Sequence, residues 1–173
     1  MSKNTILVHP NPIPGVLVDI VAALDGQPGV FVSRAFKPQR LIFEVTGPII
    51  KRRTKYSFPL GRSRHIDPIE NGRPGFGHYL NHSCNPNAYV KIINDKKRGE
   101  YIKILARRPI LKGEEVRIDY GSMEYTTTVS HLACRCGEPN CRGQITGFKD
   151  LDSETREMYL NEDIIPAYLI RTS

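Results

Sequence analysis

The sequence predicts a mostly β fold with few helices. Three observations predict it. Short runs rich in β-branched and aromatic residues recur along the chain, and Gly, Pro and Asn punctuate them at close intervals. Helical patterning is confined to the C-terminal tail. The 173 residues suit one compact domain, and a hydrophobic content of 39% suffices to fill its core.

In chain order, the stretch to Pro14 is rich in Pro and Asn and reads as irregular, with a short strand at Ile6–Val8. Val16–Leu24 is apolar and fits helix or strand equally. Val30-Phe31-Val32 and Leu41–Val45 read as strands separated by a turn around Lys37-Pro38, and Gly47-Pro48 ends the second. Residues 51–77 read as a long loop with basic and Gly/Pro-rich parts. The clearest element is a hairpin, in which Ala88–Ile93 and Tyr101–Ala106 flank the polar turn Asn94-Asp95-Lys96-Lys97-Arg98-Gly99. Glu115–Ile118 follows the Lys112-Gly113 turn as another short strand. In the tail, Ser153 is placed to cap a helix with Glu154 in its first turn. Met158, Ile164 and Ile165 fall on the apolar side, and Pro166 interrupts.

The net charge of +7 favours acidic partners, and it equally describes a well-solvated basic surface. No apolar stretch approaches the ~18 residues that span a bilayer, and the start, MSKNTILVHPNP, lacks the apolar region of a signal peptide. The expectation is an intracellular protein of nucleus or cytoplasm, without membrane contact. In a reducing compartment four cysteines suggest metal before disulfides. They are Cys84, Cys134, Cys136 and Cys141, a lone thiol followed by C-x-C-x4-C, with turn chemistry at Gly137 and Pro139. Four thiolates form a closed tetrahedral site suited to structural zinc. By spacing alone, zinc and unrelated or paired thiols are equally open.

Context decides between them. Asn81-His82-Ser83-Cys84-Asn85-Pro86-Asn87 alone reads as an Asx-type turn leading into the hairpin, and Tyr120 in Gly113-Glu114-Glu115-Val116-Arg117-Ile118-Asp119-Tyr120-Gly121 alone reads as a packing tyrosine. With the cysteine spacing, in this order, the chain resembles SET-domain protein lysine methyltransferases that carry a post-SET segment. Upstream, Pro28-Gly29-Val30-Phe31-Val32 and Phe43-Glu44-Val45-Thr46-Gly47 are similar to the family's first glycine motif and its next strand, so the likeness covers roughly residues 26 to 145.

The resemblance implies a SET fold of several small twisted sheets, a C-terminal post-SET zinc segment and a terminal helix. The expected divisions are a flanking segment 1–25, the SET domain 26–122, the post-SET segment 123–147 and a helical tail 148–173. It implies S-adenosylmethionine as methyl donor, and one structural zinc on Cys84, Cys134, Cys136 and Cys141. Tyr120 matches the catalytic tyrosine. Asn81 and His82 match the cofactor-binding pair, joined by Gly26, Pro28, Gly29, Tyr56 and Tyr120. His65, Ile118 and Tyr125 are expected at the substrate channel, and Ile145 or Phe148 at the adenine. The chain departs from the pattern at Gln27 for a glycine, at His78 for a common Arg, and at Ile118 for a Phe or Tyr that limits methyl number. His9 and His131 read as surface or satisfied histidines.

The implied partner is a protein presenting a lysine, histone or another basic protein. The different-class alternative is a non-catalytic, zinc-stabilised module that binds peptide or nucleic acid. Gly72–Gly77 lacks the Lys-Ser/Thr partner of a nucleotide loop. Lys51-Arg52-Arg53-Thr54-Lys55 and Lys96-Lys97-Arg98 read first as solvated faces, and second as weak DNA contacts. The sequence leaves oligomeric state open.

Overall fold

The computed structural model describes residues 6–7, 16–19, 28–127 and 132–170. Among the described residues strands dominate, in five small sheets, with two short helices near the C-terminus. The first sheet is antiparallel, from β1 (Ile6–Leu7), β2 (Val16–Asp19) and β3 (Gly29–Val32). Val16–Asp19 is therefore strand, and the rest of the ambiguous apolar stretch lies outside the described residues. β3 continues into 113–116 through Val32 N–H to Glu114 O at 3.1 Å and Val116 N–H to Val30 O at 2.7 Å.

The main sheet is built from β4 (Leu41–Val45) and a long hairpin described below. Between β4 and that hairpin the chain forms β5 (Ile49–Ile50), β6 (Phe58–Pro59) and β7 (His65–Ile66), ordered β5-β7-β6, then the small pair β8 (Ile69–Glu70) and β9 (Arg73–Pro74). The expected loop over 51–77 is thus partly sheet. Strands of two residues carry no alternation for a sequence pattern to reveal. Gly47 makes this crossing possible: its φ is +148°, and a Cβ there would meet Asp67 O at 1.9 Å. A 3-10 turn, Phe76–Tyr79, leads into β10 (Asn81–His82).

The hairpin is β11 (Ala88–Asp95) and β12 (Gly99–Ala106), in register from Ala88↔Ala106 to Asp95↔Gly99. Its turn is tighter than expected because Asp95 Oδ1 accepts the N–H of both Lys97 and Arg98 at 2.8 Å, and Gly99 takes a positive φ. Ile102, Ile104 and Ala106 alternate inward and meet Phe43 and Val45 of β4, so the period-2 pattern seen in the sequence is the face that builds the core.

β13 is shorter than expected, Arg117–Ile118, and pairs in parallel with β10: Asn81 opposite Arg117, His82 opposite Ile118. Buried Asn87 locks the pairing, its Oδ1 accepting Arg117 N–H at 2.9 Å and its Nδ2 donating to Glu115 O at 2.7 Å. A further 3-10 turn, Tyr120–Ser122, follows.

The tail forms α1 (Ser153–Asn161) and α2 (Ala167–Ile170) after a 3-10 turn at Phe148–Asp150. The cap is Asp152 and not Ser153. Asp152 Oδ1 accepts Thr155 N–H at 2.7 Å, and a carboxylate there also meets the helix dipole. The buried residue of α1 is Tyr159, one place beyond the expected Met158, which is exposed. Phe148, Leu151, Tyr159, Ile164, Ile165 and Leu169 form a second core that Tyr89 joins to the main sheet. Arg107 ties it down, with Nε 2.6 Å and Nη2 2.8 Å from the Glu162 carboxylate.

Candidate active site and cysteine cluster

The parallel pairing of β10 with β13 brings two remote motifs side by side, with residues 28–29 against them. Asn81 Nδ2 donates to Glu115 Oε1 at 2.7 Å and to Pro28 O at 3.2 Å. Both amide hydrogens being used, the amide oxygen is the group Asn81 can offer a ligand. Gly29 lies so close that a Cβ would meet Glu115 Oε1 at 2.4 Å. Gly26 lies outside the described residues.

His82 is buried. Its Nδ1 accepts the Tyr120 N–H at 3.2 Å, and its Nε2 lies 3.4 Å from Cys84 Sγ. Burial pulls its pKa down to about 4; Asp119 opposes this, and Arg142 and Arg117 assist it. A neutral ring accepting at Nδ1 carries its proton at Nε2, toward the sulfur. The side chain therefore links the thiol cluster to Tyr120, and its backbone is what remains for a ligand. Tyr120 donates its hydroxyl to Leu80 O at 2.9 Å, and its ring centroid is 5.2 Å from that of His82.

Two cavities meet at Asn81, Tyr120 and Leu132. The first, about 370 Å³, is bordered by His82, Glu115, Arg117, residues 133–136 and Ile145. The second, about 420 Å³, is bordered by Pro28, Lys55, Tyr56, His78, Tyr79, Met123, Glu124 and Thr127, among others. Their sizes are those of small-molecule sites, roughly 300–1,000 Å³. Tyr56 stacks on His78 with centroids 3.7 Å apart. Burial lowers the His78 pKa; Asp67 raises it and Lys55 lowers it further.

Of the expected channel residues, none borders either cavity. His65 is buried within β7, Ile118 sits in the main core, and Tyr125 is exposed, its carbonyl accepting Lys149 N–H at 3.2 Å. Ile145 borders the first cavity, whereas Phe148 belongs to the tail core. Glu115 and Arg117 stand inside the Gly113–Gly121 motif without an assigned role, and Leu132 stands outside the motifs.

The four cysteines converge, their Sγ atoms all within 4.8 Å of one another, with Cys84 Sγ 3.7 Å from Cys134 Sγ. A tetrahedral site with Zn–S near ~2.3 Å has an S···S edge of roughly 3.8 Å, so the donor set fits zinc. Arg142 N–H reaches Cys84 Sγ and Gly143 N–H reaches Cys141 Sγ, each at 3.4 Å. Burial pushes the Cys84 thiol up to about 11 and Cys134 higher still. Burial also raises Cys136, but backbone donors at Cys84 and Glu138 and the neighbouring thiols outweigh it and bring it down to about 7. Four thiols so close can all ionise only beside a cation.

The family model of the SET domain matches residues 27–121, more than half the chain and the whole span of both paired motifs. The chain belongs to the SET-domain family. Curated relatives of this SET domain include the histone-lysine N-methyltransferase trr of Drosophila melanogaster, 33% identical over 128 residues, 66% of this chain and 5% of that one. An H3 lysine-36 specific histone-lysine N-methyltransferase of Aspergillus fumigatus is 32% identical over 145 residues, 74% of this chain and 14% of its own. The histone-lysine N-methyltransferase ATX2 of Arabidopsis thaliana is 31% identical over 75% of this chain and 13% of its own. The chain thus spans a small part of these relatives. A Plasmodium falciparum crystal structure described as a histone methyltransferase superposes with a TM-score of 0.52 at 24% identity, covering 64% of this chain and 96% of that one, and supports the fold. No described helix is long and apolar enough to cross a membrane.

Proposed function

We propose that this SET domain transfers a methyl group from S-adenosylmethionine to the side-chain amine of a lysine in a histone or another basic protein. The observation that carries the reading is the β10–β13 pairing, which sets Asn81-His82 beside Tyr120 at the junction of two cavities, one of them walled by the cysteine cluster. When bound, the donor supplies an electrophilic methyl on a sulfonium cation. The chain's residues have the remaining tasks.

Asn81 offers its amide oxygen, and the Pro28 and Gly29 segment its backbone, to the donor's methionine end, with Tyr56 at the rim. The His82 backbone and Ile145 serve the adenine. The lysine must arrive neutral, although an unperturbed lysine titrates near ~10.4. Burial in a narrow channel and a neighbouring cation both favour the neutral amine. Tyr120, its O–H held on Leu80 O, uses its phenolic oxygen to orient the amine or the methyl hydrogens, and this positioning supplies much of the rate. His65 and Ile118 act on the channel only from behind its lining, and Tyr125 only through its chain neighbour Glu124, which borders the second cavity. Zinc on Cys84, Cys134, Cys136 and Cys141 pins the post-SET segment against β10, closing the first cavity.

The test incubates the zinc-replete protein with labelled S-adenosylmethionine and a panel of histones, beside Tyr120→Phe. The expected result is label on lysine, falling about 100-fold or more in Tyr120→Phe while donor affinity stays within a few-fold. Absence of donor binding would overturn the reading and leave a zinc-stabilised binding module.

A further inference from the structure

Asp119, the residue before Tyr120, is 0% exposed, and three separate parts of the chain converge on it. Its Oδ1 accepts Gly121 N–H at 2.9 Å and Arg142 Nη2 at 2.8 Å; its Oδ2 accepts the Tyr159 hydroxyl at 2.8 Å. Arg142 comes from the post-SET segment. Tyr159 comes from α1, well outside the family match at 27–121. The same carboxylate is 3.6 Å from His82 Nδ1, the atom that accepts the Tyr120 N–H. Asp119 also closes the turn that carries Tyr120: its carbonyl accepts Ser122 N–H at 3.0 Å and Ser122 Oγ at 2.7 Å. Tyr120 is therefore gripped on one side by His82 and on the other by a turn capped by a buried carboxylate.

A buried carboxylate stays in place only while each oxygen keeps its donors. Gly121 and Arg142 both hold Oδ1. Oδ2 takes the hydroxyl of Tyr159, a residue itself 0% exposed, which burial and Asp119 keep protonated well above the ordinary tyrosine range. Loss of that hydroxyl frees Oδ2 to rotate toward Arg142 and His82, disturbing both grips on Tyr120.

We propose that Tyr159 is a positioning residue for methyl transfer: from the C-terminal helix its hydroxyl fixes Asp119, and through the 120–122 turn fixes the Tyr120 hydroxyl against Leu80 O. The helix outside the SET match is then part of the catalytic apparatus. This rests on the methyltransferase reading above, and the experiment separates the two.

Tyr159→Phe keeps the buried ring and removes only the donor. Glu162→Ala loosens the same helix by breaking its ion pair with Arg107, and leaves the hydroxyl in place. Both are compared with wild type in steady-state turnover and in 19F NMR after 3-fluorotyrosine incorporation, with the Tyr120 resonance assigned by Tyr120→Phe. Expected for Tyr159→Phe is a drop in kcat of about ten-fold, the size of one hydrogen bond to a charged group, with KM for donor and peptide changed less than two-fold or so. The Tyr120 resonance shifts while that of distant Tyr101 stays, and Glu162→Ala lowers the unfolding midpoint without changing kcat. The inference is overturned if kcat per folded molecule and the Tyr120 resonance are unchanged in Tyr159→Phe, or if Glu162→Ala loses kcat equally. If the wild type transfers no methyl, the activity reading fails by itself. The resonance comparison needs no turnover and still decides whether Tyr159 holds Tyr120.

Discussion

Ile118, two residues before Tyr120, is fully buried with its Cα opposite His82, and it offers neither the bulk of an aromatic ring nor a hydroxyl. From behind the site, a side chain of that kind lets the lining yield to more than one methyl on the amine, so mass spectrometry of the product should show di- or trimethyl-lysine. Ile118→Phe should shift the product toward monomethyl, and should cost about 1–3 kcal/mol of stability, because an extra ring must fit a filled core. A strictly monomethylated wild-type product would sink the idea. His78, packed face to face with Tyr56, makes a second residue-scale prediction through pH. Its folded pKa is lowered, chiefly by burial, so below the ordinary value of ~6.5 the unfolded chain takes up a proton that the folded chain resists. Its contribution to stability is complete above that value and declines as pH falls through the lowered one. Urea titrations from pH 7.5 to 5 should show stability falling, with a shallower fall in His78→Gln. Equal slopes in the two proteins would assign the acid sensitivity elsewhere.

At the scale of elements, the cysteine cluster is what turns residues 132–145 into a wall of the first cavity. Leu132, Ala133, Arg135 and Gly137 are exposed, and beyond the cluster the segment is held to the core by side chains: Arg117 Nη1 donates to Cys136 O at 2.7 Å, Arg117 Nη2 to Glu138 at 3.0 Å, and Arg142 to Asp119 at 2.8 Å. Zinc removal by a strong chelator, or Cys84→Ser, should release this segment to proteolysis, lower the unfolding midpoint and abolish donor binding, and metal analysis of the native protein should give one zinc per chain. A chelated protein that binds donor normally would separate the cluster from the site. The elements also show what a sequence can carry. The β11–β12 hairpin is legible because eight-residue strands with one buried face must alternate, β4 because its five apolar-rich residues end at the Gly47-Pro48 break, and the cysteine, Asn81 and Tyr120 segments because their chemistry stands out locally. The strands between 58 and 74 were not, since two residues have no period, and the helix cap slid from Ser153 to Asp152 because both residue types satisfy an N-cap. The Asp119–Arg142–Tyr159 convergence was invisible for a different reason: it joins residues 23 and 40 positions apart, and no local pattern marks a buried hydroxyl that meets a distant carboxylate.

For the whole molecule the decisive feature is how its positive charge is distributed. Part of it is neutralised internally: Arg98 pairs with Glu44, Arg64 with Glu100, and Arg107 with Glu162, while Arg53 donates to Thr126 O. Lys51, Arg52, Lys55, Lys96 and Lys97 are exposed, and Lys55 borders the second cavity. We propose that a basic substrate segment reaches the site accompanied by a polyanion, since these exposed cations would repel it as a free peptide. DNA wrapped on a histone would meet that requirement, with the exposed lysines neutralising its phosphates and the cavity receiving the tail. Replacing these five residues with Ser should weaken duplex binding uniformly across sequences. If all five contact phosphates, the slope of log K against log salt should become shallower by about 4.5, from roughly 0.9 per contact. Turnover on a free peptide should be kept or rise, while turnover on nucleosomes falls. An unaltered salt slope would make both runs solvated faces, and the protein would then have to select its substrate through the groove around Tyr120 alone.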